Sequence, residues 1–260
     1  MSPHPPLTWA VSSDPGLRRT SNEDSYSTRP DVGLFVVADG MGGHVAGEVA
    51  SRVAVEAIEA LIQDTAGADK NRTWPFPFDP FLSVEANRLK AAFRLANRRI
   101  ASAIDESNDL RGMATTASAV LLGDRAACVG HVGDSRVYVL RAGVLEQITD
   151  DHSWVEEQVR AGTLSPTAAR QHPWRNVVTR ALSGGDDPEV DVTEVTPAPG
   201  DRYLLCSDGL FGVVADAKIA EILGNRELAL DAICKALVDA ANEGGGPDNI
   251  TALVFEIDVR

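Results

Sequence analysis

Acidic residues recur along this chain in one kind of setting, an apolar run that ends in a glycine-flanked turn. Val37-Ala38-Asp39-Gly40, Cys206-Ser207-Asp208-Gly209 and Gly133-Asp134-Ser135 are three cases. Gly246-Pro247-Asp248-Asn249 and Asn22-Glu23-Asp24 stand beside further apolar runs. One Asp-Gly is a common turn dipeptide and says little. Repetition says more. If these turns converge, roughly four to six carboxylates share a small volume, and they cannot all stay ionised unless cations neutralise them. Hard divalent ions with oxygen ligands, magnesium or manganese, suit such a site. The five histidines are scattered without an HxxxH pair, which argues against zinc. Two divalent ions carry about +4 against about −4 from four carboxylates, so the site could accept a phosphate dianion. Arg18-Arg19 precedes Asn22-Glu23-Asp24 and offers a guanidinium fork for phosphate oxygens.

The elements that must carry these turns follow from hydrophobic periodicity. Strands are expected at 8–13, 25–29, 33–38, 115–122, 125–132, 135–141, 144–148, 190–195, 201–206 and 250–258. Helices are expected at 47–64, 82–106, 154–161, 216–223 and 227–242, with further helical turns after Ser165. Strands come in runs and helices in pairs between them. This order argues against a doubly wound parallel sheet and for a layered α+β fold with antiparallel sheets. Residues 65–80, rich in Gly, Asp and Pro, read as a surface loop between two antiparallel helices. Trp74, Phe76 and Phe78 in it either pin it down or form a docking patch. Residues 149–189 are polar and read as a small flap.

The 260 residues include 24 Lys+Arg against 38 Asp+Glu, a net charge of −14, which argues against nucleic acid or an anionic membrane as the main partner. Cys128, Cys206 and Cys234 lie far apart in apolar runs, as reduced core thiols do. No secretory signal is visible in MSPHPPLTWA, and no run reaches membrane-span length, so a cytoplasmic protein without membrane insertion is expected.

Seven motifs in order then carry a resemblance: Arg19-Thr-Ser-Asn22-Glu23-Asp24, Ala38-Asp39-Gly40-Met41-Gly42-Gly43-His44, Gly112-Met113-Ala114-Thr115-Thr116, Gly130-His131-Val132-Gly133-Asp134-Ser135, Thr149-Asp150-Asp151-His152-Ser153, Ser207-Asp208-Gly209, and Gly246-Pro247-Asp248-Asn249. Together the sequence resembles the metal-dependent protein phosphatases of the protein phosphatase 2C type, in their bacterial form. The resemblance implies a four-layer αββα sandwich, two antiparallel sheets flanked by antiparallel helix pairs. It implies one phosphatase domain over 8–260 after a disordered 1–7, with a flap at about 150–189.

By the same resemblance, Asp39 would bridge two manganese or magnesium ions. The Gly40 carbonyl and Glu23 would serve one ion, and Asp208 and Asp248 the other. Asp134 with Asp208 would hold a weaker third ion. Asp24 would hold metal-bound water, and Arg19 would bind phosphate. Met41 stands where eukaryotic relatives carry a proposed general-acid histidine, which makes His44 a candidate for part of that role. The implied reaction is hydrolysis of phosphoserine or phosphothreonine by direct attack of a metal-bridging hydroxide. The implied partners are phosphorylated proteins, among them a bacterial serine/threonine kinase and its targets, met by a monomer. Two alternatives stand beside it: the same fold acting on another phosphoester, and a non-catalytic phospho-binding module.

Overall fold

The computed structural model describes residues 4–42, 46–67 and 73–258. Eleven strands among them form two antiparallel sheets. One sheet has the order β1-β11-β10-β7-β8, built from β1 (Leu7–Asp14), β11 (Ile250–Ile257), β10 (Arg202–Cys206), β7 (Arg136–Arg141) and β8 (Val144–Gln147). The other has the order β2-β3-β5-β6-β9, built from β2 (Asp24–Arg29), β3 (Leu34–Met41), β5 (Ala117–Leu122), β6 (Ala127–Val132) and β9 (Asp191–Val195). The short β4 (Ala114–Thr115) pairs with the end of β3.

Period-two alternation explains the layers, because successive strand residues point to opposite faces. In β3, Phe35 and Val37 enter the core between the sheets, while Leu34, Val36 and Ala38 face the helices. In β10, Tyr203 and Leu205 point inward, and Leu204 and Cys206 outward. Phe35, Phe255 and Tyr203 stack in series through the centre, with centroids 4.3 and 4.7 Å apart. The long helices α1 (Ala46–Asp64) and α2 (Val84–Glu106) cover the six-stranded sheet. The other sheet is covered by α5 (Asp208–Phe211), α6 (Asp216–Leu223) and α7 (Leu230–Glu243). The result is the expected α+β sandwich of four layers with three apolar interfaces.

Differences from the sequence expectation are local. The segment expected at 115–122 breaks at Thr116, whose amide donates to the Asp39 carbonyl. Leu7 already pairs with Ile257, so order begins before residue 8; residues 1–3 lie outside the described residues. Ser83 caps α2 through the Ala86 amide, which starts that helix at Val84. In the loop between α1 and α2, residues 68–72 lie outside the described residues. Phe76 there is buried under the Arg98 guanidinium, and Trp74 packs on Phe78, so these rings anchor the loop. The polar segment carries α3 (Trp154–Arg160) and α4 (Pro166–Arg170), the latter capped by Ser165. Among the described residues no helix is long and apolar enough to cross a membrane.

Candidate active site

The inter-sheet face ends in carboxylates at one edge of the sandwich. Asp39 continues the inward series Phe35, Val37, and Asp24 lies directly opposite it in the β2–β3 ladder. Two acids facing each other across a ladder repel and cost stability unless something compensates. Asp24 Oδ2 accepts hydrogen bonds from Ser207 Oγ at 2.7 Å and Thr251 Oγ1 at 2.6 Å. Both donors belong to the opposite sheet or its rim, so Asp24 stitches the two sheets together. Asp24 Oδ1 is buried without a hydrogen-bond partner among the described residues.

Arg19, Glu23, Asp39, Gly40, Asp134, Asp208 and Asp248 line one cleft of about 270 Å³ above this point. Seven of the nine residues singled out in the sequence are thus brought together. Asp24 is buried behind Asp39, and His44 lies outside the described residues.

Close backbone approach makes this convergence possible. A Cβ on Gly40 would stand 2.1 Å from the Gly47 carbonyl oxygen, and one on Gly209 2.0 Å from that of Asn249. Only glycine fits either place. Asn249 then ties the loop bearing Arg19 and Glu23 to the start of β11. Its Oδ1 accepts from the Glu23 amide, and its Nδ2 donates to the Pro15 and Ser21 carbonyls. Asn249 and Ser207 stand within motifs that imply no role for them, and Thr251 lies two residues beyond the last motif. Asn176 and Val178 also line the cleft, and nothing in their local sequence marks them.

The electrostatics are those of acids packed without enough cations. Burial pushes the Asp24 carboxyl up to about 7, against the hydrogen bonds from Thr251 and Ser207. Burial, then the charges of Asp208 and Asp151, push Asp134 up to about 8. Asp208 rises to about 6 through burial and Asp248, with a hydrogen bond from Asp39 pulling the other way. Asp39 is raised well above the usual carboxylate range by burial and then by Asp24, Asp208, Asp134 and Asp248. Arg19 does not stand free: its Nη2 donates to Asp248 Oδ2 at 2.7 Å on the open rim of the cleft.

Whether these residues suit divalent cations turns on three observations. The donor set is all oxygen, which suits hard ions. Asp24 leaves a buried acceptor atom unused. Four of the acids hold their protons far too tightly for their type, as carboxylates awaiting positive charge would. Among the described residues, no three His, Cys, Asp or Glu side chains stand grouped closely enough to hold an ion as they are. Hydrogen bonds to Asp24 and Asp208 and the ion pair to Asp248 occupy several of these oxygens instead. The donor chemistry fits, and ion binding would have to displace the Arg19–Asp248 contact.

The cleft borders a second cavity of about 450 Å³, which shares Asp134, Asp208 and Asn176 with it. Its floor holds Arg136, which grips Asp151 with two hydrogen bonds of 2.8 and 2.7 Å and stacks on Phe211.

Comparison with known proteins bears on this geometry. The protein phosphatase 2C family profile matches residues 18–244. The serine/threonine protein phosphatase PstP of Mycobacterium tuberculosis is 40% identical over 252 residues, covering 96% of this chain and 45% of PstP. The chain thus spans under half the length of that relative. The serine/threonine phosphatase stp of Listeria monocytogenes is 35% identical over 252 residues, covering 95% of this chain and 94% of that protein. The crystal structure of the PstP catalytic domain in complex with two manganese ions superposes with a TM-score of 0.83 at 38% identity, covering 97% of this chain and 99% of that one.

Proposed function

This chain belongs to the protein phosphatase 2C family, and from that premise we propose that it hydrolyses phosphoserine and phosphothreonine esters on proteins with divalent cations held in the cleft. The observation that carries the proposal is a set of buried acids converging from both sheets without matching cations of the chain's own. Manganese in the related catalytic domain supports the choice of ion. Asp39 would be shared by two manganese or magnesium ions, with Glu23 and the Gly40 carbonyl on one and Asp208 and Asp248 on the other. Asp134 and Asp208 would hold a weaker third ion.

When bound, such ions supply the positive charge that makes water acidic near neutral pH and offsets the charge of phosphate. The chain's own groups do the rest. Asp24, behind Asp39, would hold water belonging to the ion site, through its buried Oδ1, which has no hydrogen-bond partner among the described residues. Ser207 and Thr251 hold that carboxyl in one orientation from the facing sheet. Arg19, on the rim, exchanges Asp248 for two phosphate oxygens and fixes the ester for in-line attack. No cysteine takes part, since all three are buried free thiols whose pKa burial raises.

The substrates would be phosphoproteins of a bacterial serine/threonine kinase and the kinase itself, met in the cytoplasm, a reducing compartment that suits buried free thiols. It would act as a monomer. The test is dephosphorylation of phosphoserine, phosphothreonine and phosphotyrosine peptides and of a small aryl phosphate, with manganese, magnesium or chelator. Metal-dependent turnover of the first two, lost in Asp39→Ala, is expected. Turnover that survives chelation, or that favours the aryl phosphate alone, would overturn it.

A further inference from the structure

The motif Thr149-Asp150-Asp151-His152-Ser153 contributes no wall group with an assigned role, yet His152 is almost fully buried beside the cleft. It makes five polar contacts with three separate segments. Its amide donates to the Gly133 carbonyl at 2.7 Å, and the Gly133 amide donates back to His152 Nδ1 at 3.0 Å. The exchange closes like a β-bridge in which the imidazole stands in for a carbonyl. The His152 carbonyl accepts from the Thr179 amide at 2.8 Å. Its Nε2 lies 2.9 Å from Asp191 Oδ2, at the edge strand β9. A backbone amide can only donate, so Nδ1 is the acceptor and the ring proton sits on Nε2, facing Asp191. Arg180 Nη1 sits beside both groups, 3.3 Å from Asp191 Oδ1 and 3.5 Å from His152 Nε2; with the ring proton on Nε2 it donates to the carboxylate and only touches the ring.

Gly133 needs such a clamp. Its φ is +111°, and a Cβ there would strike Thr116 at 2.4 Å. A glycine with that freedom, immediately before Asp134, gives the turn many alternatives unless both its amide and its carbonyl are tied. His152 ties both. Through Thr179 it also anchors the strip that presents Asn176 and Val178 to the same cleft.

We propose that His152 is a positioning residue: its imidazole fixes the Gly133–Asp134 turn and joins it to the 176–179 strip, so that Asp134 faces Asp208 across the cleft. The proposal rests on the reading of Asp134 as a metal-holding carboxylate. Two amide variants separate the two edges of the ring. In His152→Asn the side-chain oxygen can take the place of Nδ1, whereas in His152→Gln the amide reaches toward the place of Nε2.

Turnover, substrate KM, manganese affinity by calorimetry and hydrogen exchange at the Gly133 amide should be measured for the full chain carrying Asn, Gln or Ala. With Gln or Ala, kcat and manganese affinity should fall about 10–100-fold, with KM nearly unchanged and Gly133 exchanging faster. Asn should recover most of both losses and restore protection of Gly133. If Asn and Gln behave alike in kcat and in exchange, the proposal is overturned. The wild-type ¹⁵N imidazole spectrum is a check that needs no variant: it should show His152 protonated on Nε2, and a proton on Nδ1 would equally refute the clamp. Absence of metal-dependent activity in the wild type would instead sink the proposed function, while exchange and calorimetry would still report on the clamp.

Discussion

The two ends of the five-stranded sheet treat buried acids in opposite ways. At one end β7 finishes, β10 begins and β11 finishes, and Asp201 and Glu256 there each meet an arginine. Arg141 holds Asp201 with bonds of 2.9 and 2.6 Å, and Arg202 and Arg226 each reach Glu256 at 2.6 Å. At the other end lie Asp134, Asp208 and Asp248, joined by Asp24 and Asp39 from the facing sheet. Among the described residues, none of Asp24, Asp39, Asp134 and Asp208 is in an ion pair; Arg19 serves Asp248, and Arg136 serves Asp151. Asp201 is as buried as Asp24 and Asp134, so burial alone does not make a site. The chain has the means to neutralise acids and leaves those of the cleft for cations from outside.

The largest effect that could break this comparison comes from exchanging acid for amide at each end. Asp39→Asn or Asp208→Asn should lower metal-dependent turnover by about 10³-fold or more. It should leave the metal-free protein as stable as before, or more so, because a neutral amide replaces a carboxyl whose ionised form is opposed by burial and by neighbouring acids. Glu256→Gln should do the reverse. Arg202 is buried, and losing its acid partner should cost about 3 kcal/mol in denaturant unfolding, with kcat little changed. If the cleft variants unfold and the Glu256 variant loses activity, the two ends are not the separate devices described.

Next comes pH. Between pH 3.8 and their folded values, the raised carboxyls bind protons in the native state that the unfolded chain has already released. Stability from them is present at low pH and is lost as pH rises through about 7 and about 8. His131 runs the other way: burial, with His152 second, lowers it to about 3, so it costs stability as pH falls below its usual 6.5 and is silent above. The window from 6.5 to 8 therefore isolates the cleft. Chelator-treated protein should lose about 1–2 kcal/mol across it, and added manganese should abolish that slope. A metal-free melting temperature that is flat or rising over this window would contradict the charge assignment.

Much of this was legible beforehand because strand periodicity and glycine-flanked acids are local signals. In β3 the alternation of Phe35 and Val37 with Leu34, Val36 and Ala38 announces both faces of a doubly covered sheet. What stayed hidden is made by contacts distant in sequence. Asn249 binds Pro15, Ser21 and Glu23, and Asp24 binds Ser207 and Thr251. A lone polar residue gives no hint of such partners. The four-residue α5 was hidden for another reason: Asp208-Gly209 reads as a turn, and only the tight seat of Gly209 on Asn249 shows why a helix starts there.

The smallest effect sharpens the comparison most, because it substitutes the same residue type at both ends. Arg19→Lys keeps the charge but loses the planar fork. The Arg19–Asp248 pair is half-exposed, at 53% and 30%, so it contributes little to stability. Its loss should raise KM for a phosphopeptide roughly tenfold, leaving the melting temperature in place. Arg141→Lys breaks the two-pronged grip on buried Asp201 and should lower stability by about 1 kcal/mol, with KM unmoved. A fall in kcat for Arg19→Lys at constant KM would show that the guanidinium meets phosphate only as the ester breaks, not on binding. It would move Arg19 from holding the substrate to stabilising the transition state, while its partner at the far end remained a matter of folding alone.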